Sequence, residues 1–500
     1  MKKLPKLLCT LAAVGALACT ALPLSACSQK ESALVLRVSN WEEYIDLGGW
    51  DKDETIEVGD GIIGENSMID DFTEWFNGGD FGFKVRVEYS TFGTNEDLYN
   101  RLNLGDKYDL VCPSDYMIMQ LMREGKAEKY SDSFRDAAIE GNYYSQNVSP
   151  FIRNGFESFG GNEYAAGYMW GTTGLVYNPE LVEVADVTTW SILKNPDYAR
   201  RVTIKDNVRD SYFPALGILN MEELLSSETT AERKSEILND TSDASIADAQ
   251  AILKEIKENV YSFETDSGKA DMITGKVAAN YQWSGDGVYI MDEADADESS
   301  PTELWYSVPA ECTNLWFDGW VMLKDGIEGD ERKRTAAEAF VNFLSRPDNA
   351  IRNMYYIGYT SAIAGKTVYD YLKWNYGVTE DEAETYAYDV SNFFGSGFEP
   401  LTVDKSTLDI EADGTINRGR QLFAQYPPKN ITERSVIMLD FGDRLADINQ
   451  MWINVRCLDV KDFNPAAVWT VVGIAVGGAV AIILYKFRYK IFYRRKSETA

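Results

Sequence analysis

"YDLVCPSDYMIMQLMREG", residues 108–125, decides the fold class. A short buried strand runs into Pro113, which cannot donate to a central ladder and so stops it. Ser114 or Asp115 then caps a helix that continues through Met122. Similar transitions recur on either side. "FKVRVEY" (83–89) sets Phe83, Val85, Val87 and Tyr89 on one face, the period of a strand. "MIDDFTEWF" (68–76) spaces Met68, Phe72, Trp75 and Phe76 as a helix, and "TAAEAFVNFLSRPDNA" (335–350) is a helix interrupted at Pro347. Strands alternating with amphipathic helices predict α/β layers around a mainly parallel sheet. Ligands of such sheets bind beyond the carboxyl ends of the strands, where Ser114, Asp115 and Tyr116 lie.

The ends of the chain predict where it lives. Residues 1–26 carry Lys2, Lys3 and Lys6 ahead of an apolar run, the pattern of an export signal. "LSAC" (24–27) resembles a bacterial lipobox, which implies lipid on Cys27. "AAVWTVVGIAVGGAVAIILY" (466–485) is uncharged and long enough to cross a hydrocarbon core of about 30 Å. The basic residues that follow it predict a cytoplasmic tail over 486–500. Gly473 and Gly477 form a GxxxG pair, a weak helix-packing signal. Everything between the two anchors is expected to face outward as one binding domain, 27–460.

The net charge of −31 understates the acidity of that domain. Removing the signal's three lysines and the tail's basic cluster leaves −39 on residues 27–485. Such a surface repels nucleic acid and attracts cations. A content of 45% hydrophobic and 13% aromatic residues excludes a disordered chain. The chain has no histidine, which removes Ser-His-Asp and Cys-His chemistry and the familiar zinc sites. Cys112, Cys312 and Cys457 remain outside the signal and lipid site; one bridge among them is open, its pairing unassigned. No cofactor and no resident metal is expected. The acidic, Gly-rich segment 46–66 reads as a solvated surface loop, and 366–436 as a second addition without a clear period in its latter half.

"LWFDGW" (315–320) then poses the chemical question. Trp316, Phe317 and Trp320 suit a core, but a buried Asp318 is costly without a cationic partner. "NWEEY" (40–44) has the same acid–aromatic composition, with Glu43 between Trp41 and Tyr44. Carboxylates take ammonium groups through charge-assisted hydrogen bonds, and aromatic faces attract charge and sandwich methylenes. For each residue a plain role competes: Phe317 and Trp320 as core, and one of Glu42 and Glu43 as a solvated charge.

Seven motifs occur in order: "SNWEEYI" (39–45), "YDLVCPSDYMIMQLMREG" (108–125), "YMWGTTGLVYN" (168–178), "QWSGDG" (282–287), "LWFDGWVM" (315–322), "NFLSRPDNA" (342–350) and "IGYTSA" (357–362). Together they resemble the spermidine/putrescine-binding proteins of ABC uptake systems. The resemblance implies a two-lobe, type II periplasmic-binding-protein-like fold with a hinge, here with a C-terminal transmembrane helix. It assigns 34–170 and 317–365 to one lobe and 171–316 and 366–460 to the other. Carried over by motif, the ligand-binding residues are Trp41, Tyr44, Ser114, Tyr116, Trp283, Trp316, Asp318 and Tyr359. Asp210 stands at one position of the family's D-x-x-E pattern, while Asn207 replaces its first acid. The implied partners are a polyamine, an ABC permease, and the membrane through lipid and helix. The alternatives are a receptor for another small cationic solute, a sensor coupled to a membrane partner, and a carboxylate-pair glycosidase, for which no two acids pair convincingly.

Overall fold

The computed structural model describes residues 33–51, 54–297 and 302–457. Cys27, the apolar run 466–485 and the basic tail lie outside them. No helix among the described residues is long and apolar enough to cross a membrane. The chain divides into one compact unit ending at Leu445 and another beginning at Ala446. The strands of both sheets lie in the first.

Fifteen strands carry the architecture: β1 (Leu34–Trp41), β2 (Val85–Phe92), β3 (Leu110–Val111), β4 (Ala127–Glu128), β5 (Ala165–Tyr177), β6 (Val202–Lys205), β7 (Ser262–Glu264), β8 (Ala279–Trp283), β9 (Trp305–Ser307), β10 (Leu315–Leu323), β11 (Thr360–Ser361), β12 (Thr385–Tyr388), β13 (Leu401–Asp404), β14 (Leu408–Ile410) and β15 (Ile416–Gly419). In the first lobe β1 pairs in parallel with β2 and β3, and β10 and β5 follow antiparallel. In the second, β6 pairs in parallel with β7 and β8, and β5 and β9 follow antiparallel. The two lobes thus repeat one plan. The sheets are mixed rather than mainly parallel as expected, because each takes in strands that run against its parallel trio.

β5 joins them. Its residues 165–172 pair with β10, and 173–177 pair with β8. The Thr173 N–H donates to the Asn314 carbonyl at 3.2 Å, so two chain crossings run side by side there. Every residue of β5 and β10 is buried, as expected of strands covered on both faces.

The local signals behave as the physics requires. Ser67 caps the helix Met68–Gly78 by accepting from the Asp70 N–H, and Met68, Phe72 and Phe76 are its buried face. Val85 is buried while Arg86 and Glu88, its alternating neighbours, are exposed. The helix Glu331–Leu344 ends before Pro347, which opens Pro347–Ile357. Phe317 and Trp320 are core, each 1% exposed.

Segment 46–66 is less solvated than its composition suggests. Ile56, Val58 and Ile62 are buried, and Asp46 is fully buried against the Arg352 guanidinium, which also reaches Asp71 at 2.5 Å. A buried arginine needs such partners, and the loop supplies one. Segment 366–436 forms the hairpin β12–β13, then β14 and β15, which extend the second lobe beyond β9. Strands of three or four residues are too short to show a period in sequence. Cys112 and Cys312 are both buried and form no disulfide, and Cys457 is exposed.

Candidate functional site

Asp318 occupies the middle of β10, where a bulge shifts the register with β5 between Phe317 and Gly319. Bulges re-aim a side chain, and this one separates the core-facing Phe317 from its neighbour. Asp318 forms a lone antiparallel bridge with Ser114, at the carboxyl end of β3. The Tyr44 hydroxyl donates to Asp318 Oδ2 at 2.7 Å. Oδ1 is buried without a hydrogen-bond partner. Burial raises the Asp318 carboxyl to about 7, against hydrogen bonds from Ser114 and Tyr44 that lower it; the charge of Asp210 adds to the rise.

Aromatic rings enclose this carboxylate. Tyr359 meets Tyr44 edge to face at 4.8 Å and lies 5.8 Å from Trp316, whose Nε1 donates to the Thr172 carbonyl at 3.2 Å. Glycine allows the enclosure to close. A Cβ at Gly285 would fall 2.2 Å from the Tyr359 ring, and one at Gly171 would fall 2.6 Å from Trp316. Asp318 is 5% and Trp316 6% exposed, so the carboxylate and the ring beside it are shielded from water.

The second lobe contributes Asp210, in the first turn of the helix Val208–Leu219. Asn207 caps that helix through the Asp210 N–H, and its amide also bonds the Asp210 carboxylate. Burial raises the Asp210 carboxyl; Asn207, Lys205 and Trp283 pull it back. Tyr116 donates to Glu96 Oε1 at 3.2 Å. Asp115, fully fixed by the N–H groups of Tyr116 and Phe317, is driven to about 8 by burial.

The sequence-derived residues divide by position. Tyr44, Ser114, Trp316, Asp318 and Tyr359 come together on shared contacts; Trp283 bonds Asp210 on the second lobe, and Tyr116 of the first lobe lies 5.5 Å from the Arg209 guanidinium. Trp41 packs on Phe92 at 4.9 Å. The Glu43 side chain is 81% exposed at the rim, where it bonds Lys269 of the second lobe at 3.2 Å. Sequence reasoning missed Asp286, Glu96, Lys205, Arg209 and Lys269. Asp286 lies inside the "QWSGDG" motif, three residues after Trp283, and was legible there; it bonds Tyr359 and keeps a buried Oδ2 unpartnered. The cations had no local signal, since acidic composition draws attention away from them.

The sequence model described as bacterial extracellular solute-binding protein matches residues 67–371. The chain belongs to that family. This solute-binding protein is therefore a receptor of the extracellular face, and it captures a ligand rather than transforming one. It is 27% identical over 278 residues to the spermidine/putrescine-binding periplasmic protein of Salmonella typhimurium, covering 55% of this chain and 70% of that protein. It is 26% identical over 360 residues to the putrescine-binding periplasmic protein SpuD of Pseudomonas aeruginosa, covering 70% and 82%. Among solved structures, a putative spermidine/putrescine ABC transporter protein from Listeria monocytogenes superposes with a TM-score of 0.57 at 21% identity, covering 85% of this chain and 99% of that one. The Tp0655 (TpPotD) lipoprotein of Treponema pallidum does so with a TM-score of 0.56 at 19% identity, covering 84% and 99%. These likenesses establish the periplasmic-binding-protein-like fold of the solute-binding protein.

Proposed function

We propose that this protein captures a polyamine outside the cell and delivers it to an ABC permease. One observation carries the reading. Asp318 is a buried carboxylate with a free oxygen, three aromatic rings around it and no cation paired to it among the described residues. An ammonium group of the ligand supplies the missing charge and donates to Oδ1, while Tyr44, Trp316 and Tyr359 offer faces to the charge and the adjoining methylenes. The names of the relatives support the same ligand class. Ser114, Tyr116, Asp210 and Trp283 line the path away from this anchor, and Glu43 acts at the rim.

Lipid on Cys27 and a membrane helix over 466–485 tether the domain, with the tail 486–500 in the cytoplasm. Both rest on the sequence of the two ends. Titration calorimetry of the full-length protein with putrescine, spermidine and spermine tests the function. Heat and a raised melting temperature with at least one amine are expected; no response to any of them at millimolar concentration would sink the reading.

A further inference from the structure

The second lobe brings its own cations to the cleft. Lys205, at the end of β6, is 0% exposed, and its ammonium stands 3.9 Å from the centre of the Trp283 ring. It donates to the Thr265 carbonyl at 2.8 Å and lies 3.7 Å from Glu264. Arg209 is 4% exposed. Its guanidinium carbon lies 3.8 Å from the centre of Phe441 and 5.5 Å from that of Tyr116, which belongs to the first lobe. Its Nε and one terminal nitrogen have no hydrogen-bond partner. Burial pushes the guanidinium down to about 10, which leaves it charged at neutral pH. The two cations flank Asp210 and offset its charge. Asp318, on the first lobe, has no such companion among the described residues.

We infer that Lys205 and Arg209 stand in for ammonium groups of the ligand, so that the cleft selects a short diamine over triamines and longer polyamines. The inference rests on the polyamine reading and deepens it. Every ligand ammonium needs a carboxylate or an aromatic face, and each fixed cation takes up part of that supply. At the second-lobe end, Lys205 covers a face of Trp283 and Arg209 covers Tyr116. A diamine places one ammonium at Asp318 and reaches Asp210 with the other. A third ammonium enters the field of two fixed cations in a site of low dielectric, where like charges repel strongly.

The free N–H groups of Arg209 invite an acceptor as well, such as a ligand carboxylate. The surroundings oppose it: Tyr116, Asp115, Asp440, Glu96 and Asp210 all face the guanidinium, and a further anion would enter among four carboxyl groups.

Calorimetric titration of the full-length protein with putrescine, spermidine, spermine and ornithine tests the assignment. Putrescine should bind at least tenfold more tightly than spermidine. Arg209→Gln and Lys205→Met should each narrow that ratio by roughly tenfold, about 1.4 kcal/mol, whereas Arg209→Lys, which keeps the charge, should preserve it. If the uncharged variants fail to fold, the wild-type ratio still decides. Spermidine binding as tightly as putrescine, or a ratio unchanged in folded Arg209→Gln, would overturn the inference while leaving polyamine binding intact. Ornithine binding tightest of all would overturn it in favour of anion recognition by Arg209. No binding by any of the amines would remove the polyamine reading itself.

Discussion

Asp318 combines two properties that pull against each other: burial favours its protonated form, and the proposed capture of an ammonium requires the charged one. With the carboxyl at about 7, a good part of the empty protein carries a proton there at neutral pH. An ammonium ligand must expel it. Polyamine affinity should therefore fall by up to tenfold per pH unit as pH drops below 7 and level off above it, read by calorimetry at several pH values with net proton release. The stability of the empty protein follows the same linkage. A carboxyl raised above its unfolded value costs stability as pH rises from about 4 toward 7, so the gain in melting temperature on adding ligand should be larger at pH 7.5 than at pH 5.5. Asp318→Asn removes a charged hydrogen bond, a contribution of about 1.5–3 kcal/mol, and should weaken binding roughly ten- to a hundredfold. It should also flatten the pH profile. Unchanged affinity would show that this carboxylate plays no part in capture.

The helix Val208–Leu219 shows how one element serves two ends. Asn207 stands where the family's pattern has an acid, and the structure uses it as an N-cap. Asn207→Ala should cost about 1 kcal/mol of unfolding free energy, measured by urea denaturation. It also frees the Asp210 carboxylate, so ligand binding should change in the same variant. A helix start packs against the opposite lobe at Gly285 as well. Because a Cβ there meets the Tyr359 ring, Gly285→Ala should cost about 1–3 kcal/mol in the closed form alone. Weaker binding with little change in the melting temperature of the empty protein at low pH, together with a more open shape by small-angle scattering, is the expected result. Equal affinity would mean that Tyr359 yields without cost.

Closure of the whole molecule draws on ion pairs that bridge the lobes at the rim. Arg123 meets Asp440 at 2.7 Å, and Lys269 meets Glu43 at 3.2 Å. The arginine is 44% exposed, and pairs of that kind contribute about 0.2–1 kcal/mol. Arg123→Ala should thus leave the ligand preference unchanged and speed release severalfold, with the difference shrinking at high salt; stopped-flow release rates measure it. At the same scale, Cys27→Ala should abolish acyl labelling yet leave the protein on the membrane through residues 466–485. Its appearance in the medium would show that the apolar run is no anchor.

Much of the α/β order was legible because each element carries its own signal: Met68, Phe72 and Phe76 at a 3.6-residue period, Pro113 ending a strand, Pro347 interrupting a helix. The acid–aromatic stretches were equally plain, since a carboxylate beside two tryptophans has few stable surroundings. The tertiary structure decided what those signals could not carry. Pairing of β5 with two sheets, and the mixed direction of both, depends on contacts between residues more than a hundred positions apart. Asp46 needed Arg352 to become buried, and Trp41 found Phe92. Lys205 and Arg209 look like surface charges in sequence. Only the fold puts them against Trp283 and Tyr116, because the field at a site is the sum over all the elements that meet there, and no single stretch of chain contains that sum.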